Sequence, residues 1–162
     1  MKSSILLACV LSLAYSGRAD DWPQWMGPRR DDVWREQGIT SRFSTNGPPI
    51  LWRAPIQGGY SGPAVVGHRL FVLDRPMGNK APTPGEGSSP SPGVKQERVQ
   101  CLDSTSGKQL WEHSYSCSYN IGYPAGPRTT PTVADGKVYC LGAMGDLLCL
   151  SAEKGEVIWS RH

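Results

Sequence analysis

The 162-residue chain has no long hydrophobic run, little net charge and few histidines. Its most apolar stretch, residues 5–14, is about ten residues long, which is too short to cross a bilayer as a helix. The net charge is +3 and falls to +1 when Lys2 and Arg18 are removed with the first nineteen residues. The sequence therefore predicts no transmembrane segment and gives no electrostatic reason to expect binding to nucleic acid or anionic lipid.

Cysteine and histidine are present, but not at the spacing of a metal site. The five cysteines include no Cys-x-x-Cys pair, and the three histidines are scattered. The acidic side chains singled out lie in the leader or in turns, where Asp commonly makes local hydrogen bonds. We therefore assign no catalytic residue and no metal ligand to this chain.

The first nineteen residues have the three parts of a signal peptide. Lys2 supplies the positive charge, residues 5–14 the apolar region, and residues 17–19 (Gly-Arg-Ala) the cleavage site. They predict a periplasmic or secreted protein whose mature chain begins at Asp20. Residues 6–9 (Leu-Leu-Ala-Cys) also resemble a lipoprotein cleavage site. Cleavage there would leave only residues 5–8 as the apolar region, so lipidation is the less favoured alternative.

Two segments of the chain repeat each other. Residues 100–111 and 148–159 share Cys, Leu, Gly and Trp at a constant offset of 48, and residues 62–72 resemble 130–140 at an offset of 68. The second offset is larger than the first because of a Pro-, Gly- and Ser-rich insertion at 77–94, which predicts an exposed loop. After a Trp- and Pro-rich leader at 20–49, the repeats fill residues 50–162.

Each repeat contains four short apolar runs separated by turn residues. The content of 19 Gly and 14 Pro suits short strands joined by turns. The predicted strands are 63–66, 68–74, 98–102 and 109–113 in the first repeat, and 130–133, 137–141, 147–150 and 157–160 in the second. Four antiparallel strands in a repeat of this length form a β-propeller blade. The sequence therefore predicts an all-β protein with two four-stranded blades of an incomplete ring.

One hairpin of the second repeat contains two cysteines. If Met144 and Gly145 form a two-residue turn, Cys140 lies opposite Cys149 in a non-hydrogen-bonded pair, with Cα atoms about 4.5 Å apart. Such a pair suits a disulfide, and an exported protein is oxidised. We therefore expect two facing thiols or a Cys140–Cys149 bridge. The alternative is that Cys101 and Cys149 are small core residues at equivalent positions in the two blades.

The two links between outer and inner strands form a candidate ligand or partner surface. Tyr60 lies in a Gly-rich link before the first blade, and Tyr123 and Arg128 lie in the corresponding link before the second. In a propeller these links share one rim with the loop at 77–94. The alternative is that Arg128 pairs with a neighbouring carboxylate or carbonyl.

The run from Cys101 to Trp111 resembles the tryptophan-docking motif of the PQQ-like (quinoprotein-type, BamB-like) β-propeller repeat family, where PQQ is pyrroloquinoline quinone. Residues 22–30 (Trp-Pro-Gln-Trp-Met-Gly-Pro-Arg-Arg) also resemble the leader of exported members of this family. The resemblance implies that the tryptophans stack between blades while the glycines permit tight turns. These structural repeat residues are Gly107, Trp111, Gly155 and Trp159.

The resemblance is compatible with two functions. The first is a binding or scaffold role in the cell envelope, with a protein or small-molecule ligand that the sequence does not identify. The second is that these are the N-terminal blades of a PQQ-dependent quinoprotein dehydrogenase. In that case PQQ and calcium would be held over the channel of a complete propeller only.

Residues 50–53 (Ile-Leu-Trp-Arg) match only the end of a repeat. In a propeller such a lone outer strand completes the last blade, so Trp52 is expected outside the first blade. Two blades cannot close a ring, which typically needs four to eight. We therefore expect missing blades, from a truncated reading frame, or else assembly of several chains.

Overall fold

The structure, a computed structural model, describes residues 19–77, 95–119 and 126–162, and these parts contain two four-stranded antiparallel sheets. The first sheet, blade 1, consists of β1 (Ala64–Val66), β2 (Arg69–Asp74), β3 (Gln96–Asp103) and β4 (Gln109–Ser116). The second sheet, blade 2, consists of β5 (Thr132–Ala134), β6 (Lys137–Leu141), β7 (Leu147–Ser151) and β8 (Val157–Arg161). Each strand pairs with the next one along the chain. The predicted all-β fold with two blades is confirmed.

The described parts of the chain contain no helix that is long and apolar enough to cross a membrane. Residues 1–18 of the signal peptide, residues 78–94 of the insertion, and Tyr123 lie outside the described residues. The predictions made for them stay predictions.

The two blades share one register. Phe71, Cys101 and Trp111 lie side by side on β2, β3 and β4. Tyr139, Cys149 and Trp159 form the same row in blade 2. In both blades a bulge follows the cysteine. The two tryptophans therefore occupy equivalent positions on the outermost strands, as their spacing in the sequence predicts.

The hydrophobic core lies between the blades. Buried side chains of one face of blade 1 pack against one face of blade 2; they are Phe71, Leu73, Val99 and Cys101 on one side and Val138, Cys140, Leu148 and Leu150 on the other. Each fully buried aliphatic or aromatic side chain of this kind stabilises the fold by about 1.5–3 kcal/mol. Trp111 and Tyr115 pack against the same cluster. The fold is thus held together by blade-to-blade contact as well as by pairing of strands.

The β6–β7 hairpin differs from the prediction by one residue. Gly142 donates a hydrogen bond to Asp146 O at 2.8 Å, so three residues, 143–145, form the loop instead of two. Gly145 has φ 101°, as expected for the glycine that ends a three-residue hairpin loop.

The change of register separates the two cysteines. Cys140 pairs with Leu148, and Cys149 pairs with Tyr139. Side chains alternate between the faces of a strand, so Cys140 and Cys149 point to opposite faces of the sheet. Both are buried free thiols, as are Cys101 and Cys117. The predicted pairing of Cys140 with Cys149 is therefore wrong, while Cys101 and Cys149 do occupy equivalent buried positions.

Trp52 contacts blade 1 through its side chain and not through strand pairing. Residues 51–57 form no strand. The indole Nε1 donates a hydrogen bond to Ser104 O at 3.0 Å, in the turn between β3 and β4. The ring lies on Gly107, where a Cβ atom would come within 2.5 Å of Trp52 Cε3. The expected lone outer strand is therefore not formed, whereas Trp52 does lie outside the strand pairing of blade 1.

Candidate functional site

The structure brings Tyr60 and Arg128 together at one end of the blades. The Arg128 guanidinium lies over the Tyr60 ring, with 4.6 Å between Cζ and the ring centroid. Tyr60 N donates a hydrogen bond to Pro127 O at 2.8 Å. Arg128 Nη1 donates to Gly126 O at 2.9 Å. Arg128 therefore bonds a neighbouring carbonyl, which is the alternative stated from the sequence, and it also contacts the candidate residue Tyr60. The Tyr60 side chain is 55% exposed.

This contact depends on a close approach of the two links that precede β1 and β5. A Cβ atom on Gly126 would lie 2.7 Å from Gly59 Cα, so a larger residue does not fit there. Ser61 Oγ donates a hydrogen bond to Thr129 O at 2.7 Å and extends the contact. The glycines that the sequence places in both links thus allow two equivalent segments to pack backbone against backbone.

A second arginine–tyrosine pair lies near the same rim. Arg75 Cζ is 4.6 Å from the centroid of the Tyr119 ring. Arg75 also exchanges main-chain hydrogen bonds with Gly58, at 3.1 and 2.6 Å. No motif in the sequence marks Arg75, because its partners Gly58 and Tyr119 lie far from it along the chain. Arg75 is buried, so this second cation–π pair lies beneath the rim, whereas Tyr60 and Arg128 are exposed at its surface.

Behind the rim, Glu97 is a fully buried carboxylate on β3. It accepts hydrogen bonds from the phenol groups of Tyr115 and Tyr119. It also accepts from Ala143 N, at 3.3 Å, in the β6–β7 loop of blade 2. Burial and the hydrogen bond to Glu97 raise the pKa of Tyr115 and of Tyr119. Both phenols therefore stay protonated donors, and Glu97 connects the two blades.

A second buried carboxylate, Asp74, lies on the opposite face of blade 1. Arg98 donates to it through Nε at 2.6 Å and Nη2 at 2.9 Å, and Gln100 Nε2 donates at 3.0 Å. Asp74 also accepts from the main-chain N–H of Gln57, at 2.7 Å. The hydrogen bonds to Asp74 raise the pKa of Arg98. This cluster fixes the segment that follows Trp52 against blade 1.

The described residues do not fit a calcium–PQQ site. In the parts 19–77, 95–119 and 126–162, no three His, Cys, Asp or Glu side chains are placed to hold a metal ion. The buried carboxylates Asp74 and Glu97 already accept hydrogen bonds from the groups just named. PQQ and calcium therefore stay a prediction for a complete propeller, and no reaction step is assigned to them.

Comparison with known proteins supports the repeat assignment. Residues 95–162 match the family model described as outer membrane protein assembly factor BamB. Among solved structures, the chain is similar to BamB from Moraxella catarrhalis, at 14% identity and a TM-score of 0.33. That alignment covers 69% of this chain and 42% of the Moraxella protein, so this chain spans less than half of that relative's length. No curated protein sequence matches the chain. Residues 95–162 of this chain are therefore similar to the PQQ-like, BamB-like β-propeller repeat family.

Proposed function

We propose that this chain is part of an exported propeller that has a binding or scaffold role in the cell envelope. The arrangement of three tryptophans carries the propeller part of the proposal. Trp52 docks on the Ser104–Gly107 turn of blade 1, and Trp111 docks in the same way on blade 2. Trp111 Nε1 donates to Ala152 O at 3.2 Å, and its ring covers Gly155. Each of these two turns thus receives a tryptophan from the segment that precedes its blade in the chain.

The third tryptophan supports the need for further blades. Trp159 occupies the same position on β8 and is 37% exposed, with Leu141 and Leu147 exposed on the same face of blade 2. A face of this composition is typical of a surface that packs against another element. We infer that a further repeat, or another copy of the chain, covers it. A ring completed in this way would display the rim of Tyr60 and Arg128 to a partner.

The export part of the proposal is tested with a reporter enzyme. Residues 1–30 are fused to an alkaline phosphatase that is active only after export into an oxidising compartment. Because residues 1–19 have the features of a signal peptide, we expect activity from this fusion and none from a matched fusion of residues 20–30. A Cys9→Ser variant should be exported and processed normally, which distinguishes signal removal from lipidation. Equal activity with and without residues 1–19 would overturn the export proposal.

A further inference from the structure

The leader lies along the inner edges of both blades, meaning the edge of β1 opposite β2 and the edge of β5 opposite β6. Trp22 and Val65 exchange two main-chain hydrogen bonds, at 2.8 and 2.9 Å, in an antiparallel bridge. The next leader residue, Pro23, accepts a hydrogen bond from Val133 N at 2.8 Å. A short extended segment therefore pairs with two inner strands at once.

The two contacts use equivalent residues of the repeat. Val65 and Val133 are related by the offset of 68 residues that relates the rest of the inner strands. Their N–H groups donate to consecutive carbonyls of the leader, Trp22 O and Pro23 O. Pro23 has no N–H and returns no main-chain bond, so its place beside β5 costs no unpaired donor.

Side chains fix the direction of the leader. The Asp21 carboxylate accepts a hydrogen bond from Gly67 N at 2.7 Å, in the turn between β1 and β2. The Trp22 ring packs on Gly27, where a Cβ atom would come within 2.8 Å of it. Three main-chain N–H groups of the blades, on Val65, Gly67 and Val133, thus bind an Asp-Trp-Pro segment.

Packing around this segment is open on both sides. A cavity of about 340 Å³ is lined by Trp22, Trp25, Gly62, Pro63, Val65 and Thr130. Another of about 350 Å³ lies between the Asp21 and Pro23 side of the leader and the ends of the blades. Trp25 is 68% exposed. Main-chain hydrogen bonds, the Asp21 carboxylate and the half-buried Trp22 ring therefore hold the leader, while Trp25 is exposed.

We propose that the inner edges of β1 and β5 are a strand-addition site for an extended peptide, and that the leader occupies this site in cis. Unpaired strand edges bind extended peptides through main-chain hydrogen bonds, while neighbouring pockets select side chains. The peptide that fits has an Asp whose carboxylate meets Gly67 N and then an aromatic residue at the cavity beside Val65. The third residue accepts from Val133 N through its main-chain carbonyl, and Pro suits this place because it leaves no N–H unpaired. The inference deepens the proposed binding role by naming the partner's chemistry.

The test uses a labelled synthetic peptide of residues 19–35 and the full mature chain. The double substitution Asp21→Ala, Trp22→Ala weakens the binding of the leader to the blades and leaves the sequence of the blades unchanged. Because a weaker cis competitor leaves the site open more often, this variant should bind the peptide about tenfold or more tightly than the wild-type chain does. Fluorescence anisotropy gives both dissociation constants. The matched control is Phe43→Ala, an exposed position later in the leader, which should bind as the wild type does.

Equal affinity of the double variant and the wild-type chain would overturn the inference. So would equal binding of a peptide that carries the same two alanines. If the double variant does not fold, the wild-type chain is crosslinked to a peptide with a benzophenone side chain at position 25. Saturable crosslinks should then map to residues 62–65 or 130, and crosslinks elsewhere count against the site. Because the assay uses purified chain, its failure is separate from a failure of export.

Discussion

At the scale of single residues, blade 1 buries two carboxylates that are stabilised in different ways. Arg98 forms an ion pair with Asp74, whereas Glu97 accepts from two phenols and a main-chain N–H. Removing one partner of a buried ion pair typically costs 3–5 kcal/mol, since the remaining charge has lost its compensation. The exposed pair of Arg35 and Asp31, at 2.5 Å, contributes far less because water screens it. Buried polar groups thus fix how the segments around blade 1 are placed.

The buried thiols make stability depend on pH. Burial raises the pKa of Cys101 and of Cys140 to about 12 and that of Cys117 to about 11, from an ordinary value of 9.0. Because the pKa is raised in the folded state, the thiols make their full contribution to the stability of the folded state below pH 9. That contribution falls as the pH rises from 9 toward 11–12, because the unfolded chain loses these protons first. We expect the urea midpoint to drop between about pH 8 and pH 10.

The matched variant is Cys101→Ala with Cys140→Ala. It should be less stable at pH 8, because two buried side chains are shortened, but should show a shallower fall toward pH 10. The same fall in both proteins would mean that the thiols are not the titrating groups. Mass spectrometry of the unreduced chain checks the corrected register, with all four thiols of the mature chain expected to be free.

At the scale of the structural element, the turn before each outer strand is the docking site for a tryptophan. Gly107 and Gly155 have φ of 71° and 73°, which other residues rarely adopt. Each also lies directly under an indole ring, that of Trp52 or Trp111. One glycine therefore meets two requirements, a left-handed backbone and space for the ring.

A matched pair of substitutions separates these two requirements. Gly155→Ala meets Trp111 Cε3 at 2.5 Å, whereas Gly136→Ala, at φ 71°, meets nothing within 4 Å. Both should lose about 1–2 kcal/mol from the strained backbone. Gly155→Ala should lose roughly 1–3 kcal/mol more, because the ring must move. Urea unfolding measures both values, and equal losses would contradict docking of Trp111 on this turn.

The repeat made the strands predictable, but not the hairpin register or the buried carboxylates. Spacing of Gly and Trp at an offset of 48 places β3, β4, β7 and β8 to within three residues. The β6–β7 loop was predicted one residue too short, because Met144-Gly145 suits a two-residue turn as well as the end of a three-residue loop. The sequence does not indicate the roles of Glu97 and Asp74, because their partners, such as Tyr119 and Gln57 N, become neighbours only in the folded chain.

At the scale of the whole molecule, the two blades stack head to tail, with the Trp111 face of blade 1 packed against the face of blade 2 that lies opposite Trp159. One face of blade 1 is covered by blade 2, and its other face is met by the segment that contains Trp52 and Gln57. The face of blade 2 with Trp159 is exposed. In repeat proteins of this kind stability is approximately a sum of repeat terms and interface terms. Covering the exposed face should therefore add one more interface term to the stability of the chain.

An added repeat tests this directly. A second copy of residues 114–161 is fused after Arg161, which keeps the offset of 48, so that Trp159 can dock on the copied Ala152 and Gly155 as Trp111 does on the originals. Because the new interface buries the apolar face of blade 2, the urea midpoint should rise, and Trp159 should become less accessible to a fluorescence quencher. The control carries Ala at the copied Gly155, which blocks the ring from its turn, and should gain less stability. If the added repeat unfolds at a lower urea concentration than the original two blades, the β8 face does not accept a blade, and the proposal that further repeats cover it is wrong.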